Sequence, residues 1–329
     1  MHFRTRMNFT DFDLEQTPHG SSVSEYVDVP TSGEPLRLPV LVARGAQEGP
    51  TVAVLGGVHG DEYEGPHAIR TVFSSLDPAS LSGTFVGVPQ TNPPAFAAGT
   101  RTSALDGLNL ARVFPGSPDG QPTEQIAHHL SESIIAKCDF LIDLHSSGTL
   151  WSMPTLVGYN ARESDAGRRS GEAAMAFGAP VVWGHPDIAR GRTVTEAADR
   201  DIPWLYAECP GGGWLHLDSA ALYARGVRNV MAHLGMLPGP VNAPRPKFRL
   251  YGSGDIDSAA TAGATGFLVR QVELLDRVQE GDVLGRVTGL AGETLEEVRA
   301  GSDGVLVFMR AVPSTTAGDL VFMLASESP

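Results

Sequence analysis

The chain has few of the features that indicate a secreted, membrane-spanning or nucleic-acid-binding protein. Its 329 residues include two cysteines, Cys138 and Cys209, too few for a disulfide framework, so we expect a reducing compartment. Lysine is limited to Lys137 and Lys247, and a formal net charge of −14 argues against a nucleic-acid partner. No apolar run approaches the roughly 18 residues of a spanning helix, and the N-terminus lacks a signal peptide's apolar core. We therefore expect a cytoplasmic protein without a membrane partner.

Two patterns divide the chain. Up to residue 243, apolar runs alternate with amphipathic stretches of helical period, which predicts an α/β domain with a largely parallel, mixed sheet flanked by helices. The proline-rich stretch 238–246 is typical of a stiff linker. Residues 244–329 then show short β-like runs between glycines. We expect a catalytic domain over 1–243 and a smaller, all-β, barrel-like domain over 244–329 that is structural or gates the site.

The stretch Thr51–Glu62 combines a strand pattern with two candidate metal ligands. Its apolar run predicts a buried strand, and the glycine pair that follows predicts a tight turn. His59 and Glu62 come next, three positions apart, so their side chains can converge on one point. The alternative is a polar loop with a first-turn acid that complements the dipole of a helix over 63–76.

A third candidate ligand follows another buried strand, Phe140–Leu144. His145 comes directly after it, at the carboxyl end where α/β sheets place their ligands. Together with His59 and Glu62 it would leave a fourth position on zinc open, as in a catalytic site. Asp143 is a candidate to orient an imidazole, or its carboxylate is satisfied by backbone amides.

The candidate base is Glu208. It ends an apolar strand pattern and precedes three glycines, and a carboxylate placed there can move a proton to a leaving amine. The alternative is a surface acid at a turn. Glu64, Glu124 and Glu196 lack this context, and we interpret them as solvated charges.

Residues 90–122 show no clear periodicity, and a loop of that length is usually functional. It contains Arg101 and Arg112, whose guanidinium groups would suit a substrate carboxylate or a polarised carbonyl oxygen. The alternative is a surface salt bridge.

These pieces together resemble the succinylglutamate desuccinylase/aspartoacylase family of zinc carboxypeptidase-like amidohydrolases. They occur in the family's order and span roughly residues 50–215. The matching pieces are Gly57-Val-His-Gly-Asp-Glu62, Arg101, Leu110-Ala-Arg-Val-Phe-Pro-Gly116, Asp143-Leu-His145 and Ala207-Glu208.

The resemblance implies one Zn²⁺ per chain and a set of site residues. The implied zinc ligands are His59, Glu62 and His145. The resemblance also implies that Glu208 is the general acid/base, that Arg101 stabilises an oxyanion, and that Arg112 binds the substrate's carboxylate.

One position departs from the family. Relatives usually carry Asn-Arg before Phe-Pro-Gly, whereas this chain has Ala111 before Arg112. Asn109, two residues earlier, is retained as a candidate substrate contact.

The expected function is zinc-dependent hydrolysis of the amide of a small N-acyl, preferably N-acetyl, amino acid or related metabolite, including diamino acids of the type that relatives deacetylate. The alternatives are a metallocarboxypeptidase acting on short peptides and a non-catalytic metal- or metabolite-binding protein. The expected partner is the small substrate, and a homo-oligomer is left open.

Overall fold

A computed structural model describes residues 4–9, 12–31 and 34–327. Its strands are β1 Arg4–Asn8, β2 Ser21–Val29, β3 Leu36–Arg44, β4 Gln47–Gly56, β5 Ser82–Val88, β6 Phe140–Leu144, β7 Trp151–Ser152, β8 Leu156–Asn160, β9 Val181–His185, β10 Trp204–Glu208, β11 Phe248–Tyr251, β12 Ala260–Thr261, β13 Gly266–Arg270, β14 Arg277–Val278, β15 Val283–Thr288, β16 Thr294–Arg299, β17 Gly304–Arg310, β18 Ser314–Thr315 and β19 Leu320–Glu327. Its α-helices are α1 Glu64–Ser75, α2 Pro93–Ala98, α3 Pro122–Ser133, α4 Asp165–Phe177, α5 Thr193–Asp199 and α6 Leu217–His233.

A mixed sheet forms the centre of the molecule, in the order β3-β5-β4-β6-β10-β8-β9. The four strands β5, β4, β6 and β10 run parallel to one another, whereas β3 is antiparallel to β5 and β8 is antiparallel to β10. Parallel strands are buried on both faces, and all five residues of β6 are buried. The predicted α/β fold with a mixed sheet is confirmed.

Helices cover both faces of this sheet and form two apolar cores. On one face α1, α4 and α6 pack through side chains such as Ile69, Ala173 and Val227. On the other face α3 and α5 pack through Ile126 and Val194. This layering leaves the carboxyl ends of the central strands uncovered for a site.

The C-terminal segment is rich in strands, as expected. A four-stranded sheet of order β16-β15-β13-β18 packs against β17 and β19 around a core that includes Val287, Leu306 and Phe322. Strand β11 pairs with β9 in parallel and with β19 antiparallel, so the central sheet continues into this segment. The division of the chain at residue 243 stays a prediction.

Some elements were not predicted. The loop 90–122 contains α2, which Asn92 caps by accepting a hydrogen bond from the Ala95 amide, and a 3₁₀ turn over Leu110–Arg112. Helix α5 and strand β8 were also missed. Among the described helices, none combines the length and apolarity needed to cross a membrane.

Candidate active site

The candidate ligands meet because two neighbouring strands are parallel. Strand β4 leads to His59 and Glu62, β6 leads to His145, and the last pair in their register is Gly56 with Leu144. The tight turn after β4 requires glycine, since a Cβ at Gly60 would lie 1.9 Å from the Ala95 carbonyl oxygen of α2. The structure thus brings the side chains of His59, Glu62 and His145 together.

His59, Glu62 and His145 form a group that could hold a metal ion. One ligand atom from each lies within 4.8 Å of the others. His59 Nδ1 is 2.7 Å from Glu62 Oε1, and His145 Nδ1 is 3.0 Å from Glu62 Oε2. Only 1% of Glu62, 3% of His59 and 9% of His145 is exposed. Three buried donors of nitrogen and oxygen type suit zinc.

The far nitrogen of each imidazole faces a hydrogen-bond acceptor. His145 Nε2 lies 2.9 Å from Asp143 Oδ2, and His59 Nε2 lies 3.1 Å from Asn109 Oδ1. The Asn109 oxygen also accepts the Ala111 amide, which identifies it as the acceptor end of the side chain. Such partners fix the protons on Nε2 and turn the Nδ1 lone pairs toward Glu62.

In a neutral ring the Nδ1 lone pair then faces a Glu62 oxygen, and two acceptors at hydrogen-bond distance need a proton or a metal cation between them. Arg101 supplies part of that charge, with Nη1 3.3 Å from His59 Nδ1 and 3.5 Å from Glu62 Oε1. The donor set therefore fits a bound metal ion.

Burial and neighbouring charges set the titration of this group. Burial, helped by Arg101, lowers the pKa of His59 to about 4. Burial alone would raise the pKa of Glu62, but the two imidazoles hold it well below its usual range. Burial alone would lower the pKa of His145, but Asp143 and Glu62 raise it well above the usual value. At least one imidazole thus carries a free lone pair at neutral pH.

Glu208 lies beside this group at the end of a third strand. Strand β10 is parallel to β6, and the His145 amide donates to the Ala207 carbonyl at 2.9 Å. Within the described residues no hydrogen-bond partner reaches Glu208 Oε2, although that atom is buried. Burial, followed by the charge of Glu62, raises the pKa of Glu208 to about 8. A carboxyl group with such a pKa can exchange protons near neutral pH.

Two arginines of the long loop line the pocket and make different contacts there. Arg101 packs over the Trp151 ring, with 5.0 Å from Cζ to the centroid, and points at the ligand group. Arg112 instead forms a bidentate salt bridge with Asp257, with 2.9 Å from Nε to Oδ2 and 3.0 Å from Nη2 to Oδ1. Arg192, a third cation of the pocket, lies 2.6 Å from Asp255. The C-terminal segment thereby contributes residues 254–256 to the pocket wall.

Three acids were interpreted as solvated, and that prediction is wrong for Glu64 and Glu196. Glu64 is 1% and Glu196 is 7% exposed, because α1 and α5 pack these faces inward. Glu64 accepts the His216 amide, and Glu196 pairs with Arg200. Glu124 is partly buried and caps α3.

Sequence reasoning also missed three residues near the site, Tyr206, His185 and Asp257. Tyr206 could have been found, since it shares the strand face of Glu208 two residues away. His185 and Asp257 follow no motif. Strand β9 of the central sheet brings His185 to the pocket, and the C-terminal segment brings Asp257 to Arg112.

Comparisons with known proteins find a matching family model and a similar curated protein. A family model described as the succinylglutamate desuccinylase/aspartoacylase catalytic domain matches residues 48–234. The N-alpha-acetyl-L-2,4-diaminobutyric acid deacetylase of Halomonas elongata is 34% identical over 324 residues, covering 96% of this chain and 93% of that protein.

Two solved structures are similar to this chain over most of its length. The product-bound ectoine utilization protein EutE (DoeB) from Ruegeria pomeroyi has a TM-score of 0.86 at 29% identity, covering 93% of this chain and 95% of that one. A succinylglutamate desuccinylase from Silicibacter sp. TM1040 has a TM-score of 0.86 at 28% identity, covering 94% and 97%.

Proposed function

Because the chain belongs to the succinylglutamate desuccinylase/aspartoacylase family, we propose that it is a zinc-dependent hydrolase of the amide bond in small N-acyl amino acids. The observation that carries this proposal is the meeting of His59, Glu62 and His145 with Glu208 at the ends of three adjacent strands. The reaction releases a carboxylate and a free amine.

His59, Glu62 and His145 would hold one zinc ion. When bound, the metal polarises the amide carbonyl and makes water a stronger nucleophile at neutral pH. Asp143 and Asn109 orient the two imidazoles through their Nε2 atoms.

Glu208 acts as general base and then as general acid. It takes a proton from the attacking water and returns the proton to the departing amine. Two features support this role: the unpartnered Oε2 atom within the described part of the chain, and the raised pKa of about 8. Both leave the carboxyl group free to change its protonation during turnover.

Arg101 stabilises the charge that develops on the carbonyl oxygen. Its guanidinium already lies 3.5 Å or less from His59 and Glu62, and Trp151 holds it there from the opposite side. A preorganised cation of this kind stabilises a transition state without further reorganisation.

The substrate is a small N-acyl, preferably N-acetyl, amino acid. The H. elongata relative is a deacetylase of an acetylated diamino acid, and residues 254–256 of the β-rich domain line the pocket. We propose that this domain, residues 244–329, gates the site against peptides. Arg112 and Asn109 remain the proposed contacts to the substrate. Arg112 would bind the substrate's carboxylate in place of the carboxylate of Asp257.

The test is to titrate zinc into metal-free protein and measure free-amine release from a panel of N-acetyl and N-succinyl amino acids. We expect release that rises with zinc up to one equivalent per chain. Tight binding of panel members without release by zinc-loaded protein would refute the enzyme and favour a metabolite-binding protein. Faster release from short peptides would favour a carboxypeptidase.

A further inference from the structure

Thr193 is connected to one of the proposed zinc ligands through a second side chain. It is the first residue of α5 and is 2% exposed. Its hydroxyl donates a hydrogen bond to Asp143 Oδ2, and the same oxygen lies 2.9 Å from His145 Nε2. Three side chains therefore link α5 to the end of β6, although Thr193 and Asp143 are 50 positions apart in the sequence.

The carboxylate of Asp143 depends on these two donors for its orientation. Asp143 is 2% exposed, so bulk water has little access to it. Its other oxygen, Oδ1, is buried, and within the described residues no hydrogen-bond partner reaches it. The terminal torsion of an aspartate has only broad intrinsic preferences. Without the Thr193 hydroxyl, the contact with His145 Nε2 alone would fix the rotation of this carboxylate.

The orientation of the carboxylate matters for metal binding. An acceptor at Nε2 of His145 keeps a proton on that nitrogen and leaves Nδ1, which lies 3.0 Å from Glu62 Oε2, as the atom that can bind a metal. Partners that orient a metal-binding histidine in this way typically contribute about 10–100-fold to metal affinity or activity. A residue that holds such a partner in place should therefore affect the affinity for the metal.

The position of Thr193 is fixed by contacts of the residues around it. Arg192 Nη2 lies 2.6 Å from Asp255 Oδ1, which ties the start of α5 to the C-terminal segment. Thr195 Oγ1 donates to the Ala189 carbonyl at 2.6 Å, which closes the turn that leads into the helix. Because the backbone is held on both sides, the Thr193 hydroxyl provides a fixed donor.

We propose that Thr193 is a positioning residue of the metal site. Its hydroxyl fixes the Asp143 carboxylate and, through that carboxylate, the imidazole of His145. This inference rests on the proposed zinc-dependent function, because it assigns a role toward the same metal. The residues that determine zinc affinity then extend from the strand ends into α5.

The test measures the dissociation constant of zinc at pH 7, with metal-free protein and a competing chromophoric chelator. Thr193→Val removes the hydroxyl and keeps the branched shape, and it should weaken zinc binding at least about fivefold, toward the range for lost outer partners. Thr193→Ser keeps the donor and should retain the wild-type affinity. Thr71→Val removes an exposed hydroxyl of α1 that donates to the His67 carbonyl, and this control should also bind zinc as wild type does.

A double-mutant cycle tests whether Thr193 acts through Asp143. Asp143→Ala removes the carboxylate, so the addition of Thr193→Val should cause no further loss of zinc affinity. A purely structural role of Thr193 would weaken binding by the same factor in both backgrounds. Urea denaturation of each metal-free variant checks that the protein is folded before zinc is added. If Asp143→Ala does not fold, the contrast between valine and serine at position 193 decides.

The outcomes distinguish the two proposals. Wild-type zinc affinity in Thr193→Val would overturn the positioning role, as would an equal loss in the wild-type and Asp143→Ala backgrounds. The expected pattern of zinc affinities in a protein that hydrolyses no N-acyl amino acid would support the role of Thr193 and refute the hydrolase. A wild-type protein that binds no zinc would refute both.

Discussion

Replacing His185 by glutamine should remove part of the acid sensitivity of the fold. His185 is buried between Gly252 and Tyr206 as a neutral ring, and burial lowers its pKa to about 4. In the unfolded chain the ring is solvated and titrates near its ordinary value of 6.5. Between these two values the unfolded state binds a proton that the folded state does not. Stability therefore falls as the pH falls through this window.

The size of the effect follows from the same two values. The difference between the pKa values of 6.5 and about 4 corresponds to a loss of about 3 kcal/mol in the free energy of unfolding at a pH below both values. Between pH 7 and pH 5, His185 alone should lower the free energy of unfolding by about 2 kcal/mol, because its ring is mostly protonated in the unfolded chain at pH 5. Glutamine keeps both hydrogen bonds but cannot titrate, so the variant should lose about 2 kcal/mol less than wild type over that interval.

The assay is urea denaturation of metal-free protein at pH 7 and pH 5, followed by tryptophan fluorescence. Trp183, 4.8 Å from His185 between ring centroids, reports on this region. Chelation removes the separate effect of metal release at low pH. The exposed His233 provides a matched control as His233→Gln. Equal pH dependence in wild type and His185→Gln would refute the assignment of His185 as a buried neutral ring.

Three further predictions concern the site. Glu208→Gln should keep its zinc by elemental analysis and lose about 10²–10⁴-fold in kcat, because the proton carrier is gone; full activity would place the base elsewhere. His145→Ala should lose zinc while His233→Ala retains it, and an unchanged metal content in the first variant would contradict its ligand role. Asp257→Asn weakens the partly exposed ion pair with Arg112, which is worth up to about 1 kcal/mol. If the substrate's carboxylate displaces Asp257 from Arg112, its KM should therefore fall by up to about fivefold. A KM that stays constant in steady-state kinetics would show that the substrate does not displace Asp257.

Much of the fold was predictable because local patterns and packing agree. The apolar runs before His59, His145 and Glu208 became β4, β6 and β10, and strand ends are where α/β sheets place their sites. The errors occurred where burial depends on distant partners. Glu64 and Glu196 have the local sequence of solvated acids, yet helices α1 and α5 turn them inward, where Glu64 accepts the His216 amide and Glu196 binds Arg200.

By itself, the sequence determined the donor types, their order and their position at strand ends, which is enough to predict the metal group and its neighbouring base. The tertiary structure alone decided which strands are adjacent, and therefore that Glu208 lies beside His145. It also decided that Asp257 binds Arg112 and that the Gly252 carbonyl fixes the proton of His185. These contacts join residues that are 145 and 67 positions apart. Periodicity and propensity describe only near neighbours, so such pairings follow from the packing of the whole chain.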